Sequence, residues 1–407
     1  MQEQKSVYLT VIVSALGYFV DIYDLLLFGI VRVPSLKDLG VPQELMLEVG
    51  MRLLNFQMAG MLVGGVVWGI LGDYRGRKSV LLGSILLYSL ANLANAFVPD
   101  PETYAYLRFV AGIGLAGELG AAITLVSEVM SKESRGYGTT IVASIGILGA
   151  VLAAFIGDHF SWSTAYIVGG LMGLGLLTLR AGLLESGMFH SMHGSDVARG
   201  HFLKLFTSLV RLKRYLSCIV IGVPIWFVIG ILVTFAPEFS KALGVEGTIT
   251  GSNAIMWAYI GLSLGDVCAG LFSQRVKSRR LAVLVFLILT AVLVGVYVTQ
   301  WGWSQSAFYT LCAGLGFGAG YWAVFVTIAA EQFGTNIRST VASTVPNFVR
   351  GSVVPLSLSF MHLRQAYGMG MVEAALIVGG VVLSMAFLAL YFMEETFGKS
   401  LDYLEPL

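Results

Sequence analysis

Twelve long apolar runs, separated by short polar connections, restrict the folds open to this chain. A run of about 20 apolar residues is long enough to cross a bilayer as a helix. Charged residues make up only 12% of the sequence, whereas about a quarter is typical of soluble domains. We therefore predict an all-α integral membrane protein with twelve transmembrane helices, named spans 1–12 in chain order. They are placed at 7–31, 53–72, 79–98, 104–130, 138–157, 162–184, 216–237, 251–273, 281–300, 305–331, 339–361 and 371–393.

The distribution of Lys and Arg predicts the orientation of these spans. With the N-terminus inside, the inner loops hold basic clusters such as Arg75, Arg77 and Lys78, and the outer loops hold few basic residues. Short basic loops stay on the cytoplasmic side. We expect both termini in the cytoplasm and the protein in the plasma membrane, the inner membrane if the source is bacterial.

An internal repeat divides the chain into two halves. Gly117 precedes Glu128 by the distance at which Gly320 precedes Glu331, and the offset of 203 residues is about half the chain. The repeat predicts two pseudo-symmetric six-helix bundles with a cleft between them as the expected site. The predicted units are an N-terminal half at 1–184, a central cytoplasmic linker at 185–215 and a C-terminal half at 216–407.

The loop between spans 2 and 3 is a compact basic motif. Its sequence Gly-x-x-x-Asp-x-x-Gly-Arg-Lys, with twelve spans in two halves, resembles the major facilitator superfamily. The resemblance covers essentially the whole chain and implies secondary active transport by alternating access. Asp21-Ile-Tyr-Asp24 in span 1 and Gly117-Glu118 in span 4 are similar to metabolite–proton, aromatic-acid and sialate symporters. This similarity implies proton-coupled uptake of a small organic anion or zwitterion.

Three departures from the family pattern bear on function. Gln274 replaces the acid of the motif in the second-half loop, and Ser278 replaces its glycine. The run Gly146-x-x-Gly149 in span 5 lacks the proline typical of drug/proton exchangers. An exporter of a metabolite or drug is the first alternative, and the missing proline argues against it. A membrane receptor or scaffold without transport is the second alternative. No arrangement within the spans points to an enzyme.

Ionisable side chains inside spans are costly unless they are paired or hydrated, so they mark functional candidates. Helix rise places Asp24 and Arg108 at similar depths, with Asp21 one turn deeper on the face of Asp24. We therefore expect Arg108 to pair with Asp24 and Asp21, either as a structural ion pair or as a proton relay. The proton-coupling candidates are Asp21, Asp24, Arg108, Glu118 and Asp266.

The substrate is expected near the membrane midplane. Tyr321 is the predicted repeat equivalent of Glu118, so the two should face each other across the cleft. Arg350 could clamp a carboxylate with two parallel hydrogen bonds, or it could pair with Asp266. Arg180 is expected to reach the inner membrane surface. The substrate-binding candidates are Tyr18, Tyr23, Glu118, Trp226, Tyr321, Asn347 and Arg350.

The motif loop and the inner ends of spans 4 and 10 are predicted to gate the site. Glu128–Arg135 and Glu331–Arg338 have the same separation and are expected to act as latches. The gating candidates are Gly69, Asp73, Arg75, Gly76, Arg77, Lys78, Glu128, Arg135, Glu331 and Arg338. The cysteine spacing predicts no metal site, and no cofactor is expected. The expected partners are a small-molecule substrate, protons and lipid, without nucleic acid, for a functional monomer.

Overall fold

The structure, a computed structural model, describes residues 2–118, 135–185 and 205–399. Its described elements are almost entirely helical, and each of the twelve predicted spans contains at least one described helix, with span 4 described only as far as residue 118. The helices that carry the spans are Gln2–Asp38, Met46–Asn95, Pro101–Leu115, Arg135–His159, Trp162–Glu185, Leu209–Phe227, Gly251–Val276, Arg279–Thr299, Gln305–Ala319, Trp322–Glu331, Thr335–Gly351, Val353–Tyr367 and Met371–Phe392. The 3₁₀-helix Gln43–Leu45 precedes span 2, and the π-helical turn Val228–Val233 and the helix Ala236–Ala242 complete span 7.

Spans 2 and 3 form one helical segment, Met46–Asn95, that folds back on itself. A Cβ atom built on Gly83 would lie 3.2 Å from the ring of Trp68. Fifteen residues of straight helix would separate these positions by about 22 Å. The segment therefore turns between Trp68 and Gly83, so spans 2 and 3 form an antiparallel pair around the motif loop.

A capping side chain sets the start of span 4, and breaks within the helices interrupt spans 10 and 11. Asp100 begins span 4 by accepting hydrogen bonds from the N–H groups of Glu102 and Thr103, both at 2.9 Å. Span 10 is broken between Ala319 and Trp322, and span 11 is broken at Ser352. Both breaks lie near the level of the candidate site.

Glycine contacts repeat between the two halves. Gly60 and Gly64 of span 2 lie directly against the main chain of span 4, and Gly261 and Gly265 of span 8 lie directly against the main chain of span 10. Such small residues let membrane helices approach closely. The offset is 201 residues between spans 2 and 8. The repeated contacts confirm the pseudo-symmetry.

Between spans 4 and 10 the matching contact gives a different offset. Gly112 packs on the carbonyl of Gln57, and its counterpart Gly316 packs on that of Ala258. The same offset of 204 residues relates the two helix ends Leu115 and Ala319, and beyond them it pairs Glu118 with Trp322. The prediction that Tyr321 is the repeat equivalent of Glu118 was one residue out of register.

The surface of the bundle matches a lipid environment. Eight described helical segments are long and apolar enough to cross a membrane. Large apolar side chains on the outside of the bundle are exposed, including Leu171 at 57%, Leu271 at 67% and Leu388 at 59%. Exposed apolar faces of this kind are stable against lipid tails, whereas contact with water would cost free energy. The protein is therefore an integral membrane protein, as predicted.

The two ends of the bundle are named from the orientation predicted from the sequence. The outer end is the end at which span 1 finishes at Asp38. The inner end is the opposite one, where spans 6 and 7 are joined through the central connection.

Candidate functional site

The two halves meet at an ion pair in the middle of the bundle. Asp21 of span 1 and Arg350 of span 11 lie 3.7 Å apart between Oδ2 and Nη2, and both side chains are almost fully buried. The Nε and Nη1 atoms of Arg350 have no hydrogen-bond partner among the described residues. A buried guanidinium with two unused donors can accept a further anion.

This pairing corrects two predictions. Arg350 was expected to pair with Asp266 if it did not hold substrate, and Asp21 was expected to join Arg108. The structure instead joins Asp21 to Arg350 across the cleft. Helix rise fixes the height of a residue, but the rotation of each helix decides which neighbour its side chain meets.

Aromatic side chains surround the central pair. The ring of Trp322 lies 5.7 Å from the guanidinium carbon of Arg350, in cation–π range. Tyr18 and Tyr259 both lie within electrostatic range of Asp21 and Arg350. Tyr18 and Trp322 are partly exposed, unlike the pair itself. The central site is defined here as Asp21, Arg350, Tyr18, Trp322 and Tyr259.

The other predicted substrate residues lie around this site or away from it. Asn347, one turn before Arg350, donates to the carbonyl of Ala116 in the other half at 2.9 Å. The hydroxyl of Tyr23 donates to the carbonyl of Ala165 in span 6 at 2.8 Å.

In the C-terminal half, Tyr321 donates to the carbonyl of Ile221 at 2.9 Å. Trp226 is 5% exposed and packs near Gly230 and Val353 within its own half. Tyr23, Tyr321 and Trp226 therefore each contact residues of their own half, and their role in substrate binding stays a prediction.

Glu118 pairs with Arg180 inside the N-terminal half. The two side chains form a double contact, with Nη2–Oε1 at 2.6 Å and Nη1–Oε2 at 2.9 Å, and both are at least 95% buried. Gly17 of span 1 leaves the room that this pair occupies. Two predictions are corrected: Arg180 does not reach the inner surface, and Glu118 does not face Tyr321 across the cleft.

Asp24 and Arg108 lie close together without forming a direct pair. Arg108 donates to Asn92 Oδ1 at 3.2 Å and stacks on the ring of Tyr166 at 5.4 Å. Asp24 lies against Gly169 and within electrostatic range of Arg108. The predicted neighbourhood of Asp24 and Arg108 is present, but its partners include Asn92 and Tyr166, which the sequence did not indicate.

Asp266 of span 8 caps the start of the second helix of the broken span 10, Trp322–Glu331. Its Oδ1 accepts a hydrogen bond from the N–H of Ala323 at 2.9 Å. An acid at a helix N-terminus satisfies free N–H groups and opposes the positive end of the helix dipole. Asp266 therefore positions Trp322 beside Arg350 and does not pair with Arg350.

At the outer end, an ion pair that was not predicted from the sequence joins the two halves. Arg32 of span 1, fully buried, contacts both oxygens of Glu238 at 2.6 and 2.7 Å. It also lies 4.4 Å from the centre of the Phe235 ring and donates to the carbonyl of Thr234 at 3.3 Å. We call the Arg32–Glu238 pair the outer latch. An arginine in the last turns of an apolar span was the only signal for it.

At the inner end, Glu331 has partners in addition to those predicted, and its predicted pairing with Arg338 stays a prediction. Glu331 pairs with Arg279 at 3.4 Å and accepts a hydrogen bond from Thr396 at 2.7 Å. Near the motif loop, Gly69 approaches span 11, with Thr344 Cγ2 at 4.0 Å from a Cβ built on Gly69. Glu128 lies outside the described residues, and the side chains of Asp73, Arg75, Gly76, Arg77, Lys78, Arg135 and Arg338 are outside the described side chains.

Comparison with known proteins agrees with the fold and the motifs. The Major Facilitator Superfamily model matches residues 14–354. The niacin transporter NiaP of Acinetobacter baylyi is 25% identical over 96% of this chain and 94% of its own length. The gentisate transporter of Corynebacterium glutamicum is 24% identical over 69% of each chain. The crystal structure of a D-xylose–proton symporter superposes with a TM-score of 0.70 at 17% identity, covering 97% of this chain and all of that one.

Proposed function

Since the chain belongs to the Major Facilitator Superfamily of secondary active transporters, we propose that it takes up a small aromatic carboxylate together with a proton. The orientation proposed from the basic loops places both termini in the cytoplasm, so uptake runs from the outer to the inner end. Enzyme function is not part of this family assignment.

The proposal rests on two buried N–H donors of Arg350 that have no partner among the described residues. Arg350 is 1% exposed, its Nε and Nη1 have no partner among the described residues, and Asp21 contacts it loosely at 3.7 Å. Nε and Nη1 point to different sides of the guanidinium group, so one carboxylate cannot bridge them. A substrate carboxylate would form two parallel charge-assisted hydrogen bonds with Nη2, which Asp21 now contacts, and with either Nε or Nη1. It would take the place of Asp21 as the counterion.

The displaced Asp21 explains the need for a proton. Separating a buried acid from its partner costs about 3–5 kcal/mol, because an uncompensated charge stays buried. Binding of one proton to Asp21 removes that charge. The anion and the proton are therefore favoured together, and neither is favoured alone.

The same exchange would release the two halves. Asp21 belongs to the N-terminal half and Arg350 to the C-terminal half, so their pair holds the halves together at the midplane. Once Arg350 holds substrate and Asp21 holds a proton, this attraction is lost. The halves can then rock between outer and inner access.

The ring of the substrate is assigned to the aromatic walls. Trp322 lies beside Arg350, and Tyr18 and Tyr259 flank the pair. Aromatic rings in contact add about 0.5–1.5 kcal/mol beyond their buried area. Niacin and gentisate, which the named relatives transport, are both ring carboxylic acids.

Competition uptake by reconstituted protein tests the substrate class. Benzoate and nicotinate should compete better than acetate or propionate, and Trp322→Leu should reduce that preference about 2–10-fold. Arg350→Lys should weaken all carboxylates because it loses the planar fork. Trp257→Leu is the matched control, since Trp257 in span 8 is 41% exposed. An unchanged preference in Trp322→Leu would refute the aromatic assignment.

A further inference from the structure

A groove between spans 9 and 12 opens on the surface of the bundle at the inner end. It encloses ≈670 Å³ and is lined by Leu281, Leu284, Phe387, Leu388 and Tyr391, among others. Leu281 and Leu388 are 43% and 59% exposed, so the groove faces the surroundings of the bundle. The central site lies elsewhere, between spans 1, 8, 10 and 11.

Basic side chains gather at the mouth of this groove. Arg280 lines the mouth and uses Nη2 to donate to the carbonyl of Tyr391 at 3.0 Å. Arg275, in the last turn of span 8, and Lys277, in the connection to span 9, are exposed. The mouth of the groove lies at the predicted level of the lipid head groups, where its apolar walls meet these basic side chains.

Glu395, an acid at the mouth of the groove, already accepts several hydrogen bonds. Burial alone would raise the pKa of Glu395, but hydrogen bonds from Ser278 and from main-chain N–H groups lower it to about 2. Its oxygens accept from the N–H groups of Arg279 at 2.9 Å and Arg280 at 3.2 Å. The carboxylate stays ionised, but these donors already hold its oxygens. The positive charges of Arg275, Lys277 and Arg280 outnumber its single negative charge, so the mouth as a whole attracts an anion.

We propose that this groove binds one anionic phospholipid of the inner leaflet, with its phosphate at Arg280 and an acyl chain along Leu281, Leu284 and Leu388. Lipid tails are as apolar as leucine, so tail contacts alone select little. The head-group charge decides the preference, as in other basic pockets between membrane helices. From the start of span 9 to Leu284 the groove follows about 9 Å of helix, enough for the first part of one chain.

The binding test uses the full chain in detergent. Dioleoyl phosphatidylglycerol and dioleoyl phosphatidylcholine are titrated separately, and bound lipid is counted by native mass spectrometry. The wild type should retain one phosphatidylglycerol in preference to phosphatidylcholine. Inorganic phosphate should neither bind nor compete, because it has no acyl chain. Equal retention of the two lipids, or competition by phosphate, would overturn the proposal.

Variants separate the groove from general surface charge. Arg280→Ala should lower the preference about fivefold, the effect expected for one basic residue at a membrane surface. Leu284→Trp fills the groove and should reduce binding while keeping every charge. Arg275→Ala is the matched control, because Arg275 is exposed near the groove but does not line it. A loss in Arg275→Ala equal to that in Arg280→Ala would show unspecific attraction and refute the site. Retention in Leu284→Trp would also refute it.

Discussion

Breaking the outer latch should open the outer end of the protein. Glu238→Gln removes the charge that contacts both outer nitrogens of Arg32, at 2.6 and 2.7 Å. Close charge pairs at interfaces have coupling energies of about 1.5–7 kcal/mol. Glu238 is 15% exposed, so the low end of this range applies. A shift of about 2 kcal/mol corresponds to a roughly 30-fold larger population of outward-open molecules.

Labelling of a buried cysteine measures this population. Ile255 is fully buried and contacts Gly29 of the other half near the latch. We would introduce Ile255→Cys in a Cys268→Ser background, because Cys268 is exposed whereas the other two cysteines are buried. The rate of reaction with a membrane-impermeant maleimide should rise about 30-fold in Glu238→Gln.

A surface pair supplies the control for this experiment. Glu102 lies 4.0 Å from Arg52, the two side chains are 66% and 54% exposed, and both belong to the N-terminal half. Pairs of this kind contribute about 0–1 kcal/mol, so Glu102→Gln should leave labelling unchanged. Labelling that does not respond to Glu238→Gln, or responds equally to Glu102→Gln, would show that the latch does not hold the outer end closed.

Two further predictions concern stability. Gly17→Ala places a methyl group on the Glu118–Arg180 pair and should lower the free energy of unfolding by about 1–3 kcal/mol, which is measured as a lower Tm. The control is Gly175→Ala, whose methyl group meets no atom within 4 Å and should leave Tm unchanged. Equal Tm values for the two variants would contradict the contact at Gly17. Glu395 has a pKa lowered to about 2 in the folded protein, so its stabilisation is complete above about pH 4.5 and is lost as pH falls towards 2. Glu395→Gln should therefore lower Tm at pH 7 and have a smaller effect at pH 3, and a deficit independent of pH would refute this role.

The fold could be predicted from the sequence because its determinants are local. Run length sets the number of spans, and glycine spacing marks where helices touch, as at Gly60 and its counterpart Gly261. The sequence also indicated that Asp21 and Arg350 need partners inside the bundle, since a charge inside an apolar run requires compensation.

The partners of these charges could not be predicted from the sequence. Asp21 was expected to join Arg108, but it meets Arg350, more than 300 residues away in the chain. Arg180 was expected at the surface, but it meets Glu118 because Gly17 leaves room on span 1. Such pairs depend on helix rotation and on small residues in a third helix, and spacing within one span does not encode either.

Accumulation by proteoliposomes tests the central claim most directly. Labelled nicotinate and benzoate are offered to wild-type protein and to Asp21→Asn, with an inwardly directed proton gradient or with none. We predict that the wild type accumulates at least one of these anions only when the gradient is present. Asp21→Asn should exchange that anion across the membrane without accumulating it. Accumulation by the wild type without a proton gradient, or gradient-driven accumulation by Asp21→Asn at the wild-type level, would contradict proton coupling through Asp21 and Arg350.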